Sequence, residues 1–209
     1  MAERGRYKQI ERRSFLTTDP MASLAAGVGL AAEARVPFAL IGRLAVWFYV
    51  PPEGQQLTKD ADLAIPHGYV DRVVAIARAK GYKVHALRIG GYGISAPGMV
   101  VDFVDRHPEL AQLFADAVAA ARSRRLRVKV GKTSIPVVPI HYLIAMKLVT
   151  HEPKDERDVQ ELLRLVAPAR YKALRKLVRG YLGYAGATYL DFVARSIGHP
   201  GPGMKTRYR

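Results

Sequence analysis

The chain contains no cysteine. Disulfide bonds, zinc–thiolate centres and thiol nucleophiles are therefore excluded. A chain without cysteine fits a reducing compartment, so we expect a cytoplasmic protein. The sequence also lacks any apolar stretch near the ~20 residues that a membrane-spanning helix needs. We expect no membrane partner.

Acidic residues are in the minority. The sequence has 18 Asp and Glu against 33 Lys and Arg, which gives a formal net charge of +15. A surface with this excess attracts polyanions, of which nucleic acid is the first candidate and a membrane surface the second. The basic residues concentrate in three clusters without acids, namely Arg122, Arg124, Arg125, Arg127, Lys129 and Lys132; Arg170, Lys172, Lys176 and Arg179; and Lys205, Arg207 and Arg209.

The length and composition predict a folded chain of one large domain, or of a core with a small appendage. The 209 residues are 49% hydrophobic, which is enough for a substantial core. Composition changes near residue 138 from mixed strands and helices to helices alone. We therefore predict a core at 1–138 and a helical C-terminal part at 139–209, with a single domain as a nearly equal alternative.

Hydrophobic periodicity and turn residues predict a mixed α/β (α+β) fold, with a mixed β-sheet flanked by helices. Asp19 is expected to cap a helix that begins at Pro20. The predicted strands are 37–41, 58–65, 82–88, 91–95, 99–104, 125–130 and 134–138. The predicted helices are 20–34, 43–50, 69–80, 108–122, 139–150, 154–166, 169–180 and 184–197. We expect an irregular arm at 1–19 and a loose tail from 198.

Two aspartates one residue apart, Asp60 and Asp62, lie in the predicted strand 58–65. Residues i and i+2 of a strand project from the same face, so the two carboxylates would lie side by side with Thr58. The other face would be apolar and buried, formed by Leu57, Ala61, Leu63 and Ile65. Neighbouring carboxylates repel unless a cation lies between them, and Mg²⁺ favours such oxygen ligands. A solvated Asp-x-Asp with no ligand is the alternative.

Two further residues extend this candidate site. Gly42 follows an apolar strand and precedes a helix, where a phosphate could approach backbone N–H groups. Asp102 lies in an apolar strand, where an unpaired carboxylate is costly. If that strand neighbours the one with Asp60 and Asp62, three carboxylates converge. Asp105 is the rival third carboxylate, but it points to the opposite face of its strand.

The glycine turn, the Asp-x-Asp strand and the later aspartate, in the order in which they occur along the chain, resemble the motifs of the DNA polymerase β-like nucleotidyltransferase superfamily. The resemblance covers residues 37 to about 165, and its main signature is LIGRLAVWFYVPPEGQQLTKDADLAI. Two later segments, 143–147 and 155–158, are similar to motifs of the abortive-infection type nucleotidyltransferase toxins and their relatives. The resemblance implies a magnesium-dependent transfer of a nucleotidyl group from an NTP.

The resemblance also implies a role for each matching residue. Asp60 and Asp62 would ligate Mg²⁺, with two ions expected, and Asp102 would complete the metal site and help to deprotonate the acceptor hydroxyl. Gly42 would lie beneath the triphosphate, with Arg43 and Thr58 beside it. Lys147 would contact phosphate, and the nearby acids would line the cleft or order this lysine, namely Asp155 and Asp158.

Two positions depart from the pattern of the family. Arg43 replaces the second small residue of the glycine turn, where it either obstructs the approach of phosphate or supplies a guanidinium to it. Gln56 stands where many relatives have an arginine. Both departures bear on turnover or on nucleotide preference, whereas neither changes the metal carboxylates.

The sequence leaves three functions open. The first is an enzyme that acts on RNA such as tRNA, because RNA is both a polyanion and a source of hydroxyl acceptors; an antitoxin is then a possible partner. The second is a small-molecule nucleotidyltransferase of the antibiotic-modifying kind. The third is a catalytically silent nucleic-acid-binding or antitoxin-like module on the same fold.

Overall fold

A computed structural model describes residues 19–106, 108–123, 126–131 and 133–201. All of the predicted arm except Asp19 and most of the predicted tail lie outside these ranges, as do Arg124, Arg125 and Lys132 of the first basic cluster. The helices are α1 (Pro20–Glu33), α2 (Gly42–Tyr49), α3 (Val70–Ala79), α4 (Ala111–Ser123), α5 (Ile140–Lys147), α6 (Pro153–Arg164) and α7 (Pro168–Ser196). The strands are β1 (Ala39–Ile41), β2 (Ala61–Ala64), β3 (Lys83–Ala86), β4 (Tyr92–Ala96), β5 (Met99–Val104), β6 (Arg127–Val130) and β7 (Thr133–Pro136).

The centre of the fold is a five-stranded mixed sheet with the order β1-β2-β5-β4-β3. Strands β2 and β5 are parallel, and the other neighbouring pairs are antiparallel. A separate hairpin is formed by β6 and β7. The predicted mixed α/β class is therefore confirmed.

Helices cover both faces of the central sheet. Helix α1 begins as predicted, with the Met21 N–H donating to the Asp19 carboxylate at 2.8 Å and Pro20 in the first helical turn. Its backbone at Gly27 lies directly over Val101 and Leu63. Residues alternate between the faces of a strand, so Asp62 and Asp102 point to the opposite face, where α2 contacts β2.

The helical C-terminal part packs on the rest of the chain. Helices α5 and α6 contact α2, and the Tyr49 hydroxyl donates to the carbonyl of Val138 at 2.8 Å. Buried apolar residues from both sides of residue 138 belong to one hydrophobic cluster. The division at residue 138 stays a prediction.

Several predicted boundaries were wrong. Strand β2 begins at Ala61, so Asp60 lies in a bend before it, and Leu57 is 63% exposed instead of buried. The remaining apolar positions, Ala61, Leu63 and Ile65, are fully buried as predicted. Helix α5 ends at Lys147, three residues earlier than predicted. The break predicted between 180 and 184 is present at Gly183, whose φ of +69° and ψ of −164° are not helical.

None of the helices in the described ranges combines the length and the apolar character that crossing a bilayer requires.

Candidate active site

One cavity of about 520 Å³ is lined by nearly all of the site residues that the sequence singled out, whereas Asp158 is buried and does not line it. Its lining includes Gly42, Arg43, Thr58, Asp60, Asp62, Asp102, Lys147 and Asp155. A volume of this size is typical of sites for nucleotide-sized ligands. Asp105 lies apart, buried against His67, whose Nδ1 is 3.2 Å from its carboxylate. The structure thus places Asp102, and not its rival, in the cavity.

Asp62 and Asp102 form a pair of carboxylates at the floor of the cavity. Their strands β2 and β5 are parallel neighbours, and the two residues lie opposite each other in register. Asp60 precedes β2, and its Oδ1 accepts a hydrogen bond from the Thr58 hydroxyl at 2.6 Å. The strand pairing that the sequence left conditional is therefore present, and Thr58 orients Asp60.

Burial and neighbouring negative charge raise the pKa of both Asp62 and Asp102. The Asp62 side chain is partly exposed to the cavity and otherwise surrounded by protein. Burial raises its pKa to about 7, and the charges of Asp60 and Asp102 contribute to this shift. Burial and the charge of Asp60 also raise the pKa of Asp102, while His85 opposes this shift. The site therefore concentrates negative charge that would favour a cation.

The carboxylates do not by themselves form a closed metal site. Among the described residues, no three His, Asp or Glu side chains are arranged so that they could hold a metal ion. The convergence of three carboxylates on one point is thus only partial, because Asp60 lies before β2 and is turned towards Thr58. Mg²⁺ is commonly held by one or two carboxylates and completed by substrate phosphates. The donor set fits an ion that arrives with a triphosphate.

Gly42 is required at the start of α2 for two physical reasons. Its φ is +63°, a conformation that side chains other than glycine rarely adopt. A Cβ atom added there would lie 1.9 Å from Oδ2 of Asp62. Antiparallel pairing of β1 with β2 causes this approach, since Ile41 lies opposite Asp62. The glycine turn therefore packs directly against Asp62, one of the two paired carboxylates.

We expect Gly42→Ala to destabilise the protein more than Gly98→Ala does. Gly98 also has a positive φ, of +73°, but nothing lies within 4 Å of an added Cβ. The backbone strain of about 1–2 kcal/mol is common to both substitutions, and only Gly42→Ala adds a clash, worth roughly 1–3 kcal/mol. Urea unfolding measures the two losses. Equal losses would show that Gly42 does not pack on Asp62.

Lys147 and Arg43 belong to a buried ion-pair network with two acids of α6. Lys147 Nζ lies 2.5 Å from Asp155 and 2.9 Å from Asp158. Arg43 Nη2 lies 3.3 Å from the same oxygen of Asp158. Burial lowers the pKa of Lys147, but the charges of Asp158 and Asp155 outweigh it, so the pKa lies above its usual range. Both cations are held in place by acids of α6.

Arg43 and Gln56, where the sequence departs from the superfamily that it resembles, are in contact with each other. The Arg43 guanidinium donates to Gln56 Oε1 at 2.8 Å, and the Gln56 amide donates to Asp158 at 3.4 Å. The Trp47 indole N–H fixes the backbone of Gln56 at 2.8 Å. Arg43 therefore points along the wall of the cavity towards α6. It does not lie across the glycine turn.

Two residues were not anticipated from the sequence, one beside Asp102 and one in the lining of the cavity. His85 lies on β3 against Gly93, where an added Cβ would be 2.3 Å from the imidazole and 3.0 Å from Asp102 Oδ1. The missing side chain at Gly93 thus lets the imidazole approach Asp102. Arg106 lines the cavity just beyond β5. Neither position shows a local sequence signal, because each depends on strand pairing.

Comparison with known proteins gives similarity in structure only. No family model matches the chain, and no curated protein matches its sequence. One similar solved structure is ANT(2'')-Ia in complex with adenylyl-2''-tobramycin, with 16% identity over 84% of this chain and 97% of that chain and a TM-score of 0.43. A second is an antigenic nucleotidyltransferase-like protein from Paracoccidioides brasiliensis, with 14% identity over 84% of this chain and 94% of that chain and a TM-score of 0.45. A third is the lincosamide antibiotic adenylyltransferase LnuA bound to lincomycin, with 13% identity over 69% of this chain and 97% of that chain and a TM-score of 0.43.

These similarities assign no role to any residue of this chain, since each TM-score is below 0.5 and each identity is 16% or lower. Any function must be argued from the cavity itself.

Proposed function

We propose that the chain transfers a nucleotidyl group from an NTP to a hydroxyl acceptor with the help of Mg²⁺. The observation that supports this most is the pairing of Asp62 with Asp102, in register on adjacent strands and packed against the glycine turn at Gly42. Carboxylates beside a helix start suit a metal-bound triphosphate. The cavity of about 520 Å³ leaves room for a nucleotide.

Asp62 and Asp102 would hold Mg²⁺ together with the phosphates of the NTP, and Asp60 beside them would complete the site once the phosphates are bound. When bound there, Mg²⁺ would neutralise charge on the triphosphate and help to orient it. The resemblance implies two Mg²⁺ ions. The phosphates of the NTP would then supply the metal ligands that the carboxylates do not provide. Gly42 at the start of α2 would allow the phosphates to approach backbone N–H groups.

The remaining chemistry is assigned to groups of the chain. Asp102 would accept the proton of the acceptor hydroxyl, since its raised pKa makes it a stronger base than an exposed aspartate. The acceptor oxygen then bonds to the α-phosphorus, the bond between the α-phosphorus and its bridging oxygen breaks, and pyrophosphate leaves. Lys147 would lie beside the phosphates, held in position by Asp155 and Asp158.

RNA is the acceptor that we propose, with tRNA as the form to test. The outward face of α7 carries four exposed cations, Arg170, Lys172, Lys176 and Arg179, as the sequence predicted. Tyr184 and Phe192, further along α7, are 71% and 53% exposed. Cations supply affinity for phosphates, and exposed rings can stack on bases. An antitoxin partner stays a prediction from the resemblance.

The test is transfer of label from an NTP labelled at the α-phosphate, with Mg²⁺ and total tRNA. We expect labelled tRNA with the wild-type chain, loss of labelling by about 10²–10³-fold in Asp102→Asn, and no change in Asp71→Asn. Asp71 is an exposed acid on α3, outside the cavity. Tobramycin and lincomycin serve as small-molecule acceptors in parallel. Labelling of these alone would overturn RNA as the acceptor, and no labelling with any NTP would overturn the enzyme.

A further inference from the structure

Arg106 occupies a strained position at the edge of the cavity. It lies two residues beyond the end of β5, and its φ is +44°. In this left-handed region the backbone strain of a residue with a Cβ is roughly 1–2 kcal/mol, whereas glycine has almost none. Strain of this kind is commonly found where a side chain serves a binding site. The arginine side chain is therefore the feature to explain.

The surroundings of Arg106 differ from those of Arg43 and Lys147, two of the other cations that line the cavity. Those two are tied into the buried ion-pair network. Arg106 is half-buried and lines the same cavity, but its guanidinium makes no hydrogen bond or ion pair with another described residue. Burial lowers its pKa, while the charge of Asp155 opposes the shift. A guanidinium stays charged at any working pH, so this one is a partly desolvated cation that would gain from an anion.

We propose that Arg106 binds the triphosphate of the nucleotide substrate, an inference that rests on the function proposed above. Arg106 is within electrostatic range of Asp155, the carboxylate that also holds Lys147, and both residues line the cavity. Arg106 therefore shares the side of the cavity where Lys147 would meet the phosphates. A planar guanidinium can donate two parallel hydrogen bonds to a phosphate, which a lysine cannot do. Arg106 would thus favour a triphosphate over a monophosphate.

The backbone of Arg106 supplies the test. In Arg106→Gly the guanidinium is removed and the strain is relieved, so the variant should be at least as stable as the wild type. Arg35→Gly is the matched control, because Arg35 is exposed, lies outside the cavity and has a φ of +53°. Both variants should unfold at the same or a higher temperature than the wild type. Only Arg106→Gly should lose affinity for phosphates.

Isothermal titration with inorganic tripolyphosphate and Mg²⁺, and then with ATP and AMP, measures the effect. We expect the Kd of tripolyphosphate and of ATP to rise about 10- to 100-fold in Arg106→Gly, as for loss of charged hydrogen bonds, with little change for AMP or in Arg35→Gly. If Arg106→Gly binds tripolyphosphate as the wild type does, the role of Arg106 is wrong and the proposed function stands. If the wild type binds neither tripolyphosphate nor any NTP, both fail.

Discussion

Asp62→Asn is expected to abolish nucleotidyl transfer and, at the same time, to stabilise the metal-free protein. The loss of transfer, by about 10²–10³-fold or more, follows because the amide cannot replace a carboxylate beside Mg²⁺ and the triphosphate. The gain in stability follows because burial and the charges of Asp60 and Asp102 disfavour the ionised carboxylate of Asp62. An amide of the same shape carries no charge to disfavour.

The stabilisation has a defined pH dependence. The pKa of Asp62 is raised from 3.8 to about 7 in the folded chain. Because the pKa is raised, the folded chain holds a proton between these two pH values that the unfolded chain releases. Asp62 therefore does not lower the free energy of unfolding below pH 3.8, and it lowers it by the full amount above about pH 7. With EDTA present, the melting temperature of Asp62→Asn should exceed that of the wild type by roughly 3–8 °C at pH 8, and by less at pH 5.

Differential scanning calorimetry at both pH values measures this difference. Asp71→Asn controls for the loss of one negative charge, since Asp71 is exposed on α3. An Asp62→Asn variant that melts below the wild type at pH 8 would show that the carboxylate is stabilising without a cation. The electrostatic account of the site would then be wrong.

Asp158→Asn is expected to cause the largest loss of stability. Asp158 is 2% exposed and lies within 3.3 Å of two cations, Lys147 and Arg43, whose side chains are each 12% exposed. Removing one member of a buried pair leaves uncompensated charge and costs about 3–5 kcal/mol. Transfer should fall as well, because Lys147 loses one of the two carboxylates that hold it.

Glu33→Gln is the matched control for Asp158→Asn. It breaks the ion pair of Glu33 with Lys80, which has a similar length of 3.0 Å but side chains that are 51% and 40% exposed. Exposed pairs contribute about 0–1 kcal/mol. Urea unfolding of both variants gives the two losses. A cost for Asp158→Asn as small as that of Glu33→Gln would show that the buried network does not stabilise α6 against α2 and α5.

Local signals in the sequence predicted the elements around the site well. The start of α1 at Pro20 was predicted because capping by Asp19 involves only neighbouring residues. Asp102 was singled out because a carboxylate in an apolar strand needs a reason to be there. The structure supplies the neighbour, placing Asp102 opposite Asp62. Their joint role in catalysis stays a prediction.

The wall of the cavity could not be predicted in the same way. Arg43 contacts the carbonyl of Lys154 across 111 residues of sequence, and Gln56 contacts Asp158 across 102. No periodicity or cap encodes contacts at such separations, so the sequence alone suggests only that Arg43 obstructs the phosphate or binds it. The strained φ of Arg106 is equally invisible, since nothing in the residue type suggests it. The exposure of Leu57 was missed because β2 begins only at Ala61.

The most direct measurement of the central claim follows two positions of label through one reaction. Purified chain, Mg²⁺ and tRNA are incubated with an NTP labelled at either the α- or the γ-phosphate. Nucleotidyl transfer at the carboxylate pair of Asp62 and Asp102 predicts that the α-label appears on the acceptor and the γ-label in pyrophosphate. Appearance of the γ-label on the acceptor, or of neither label on any acceptor, would contradict the claim.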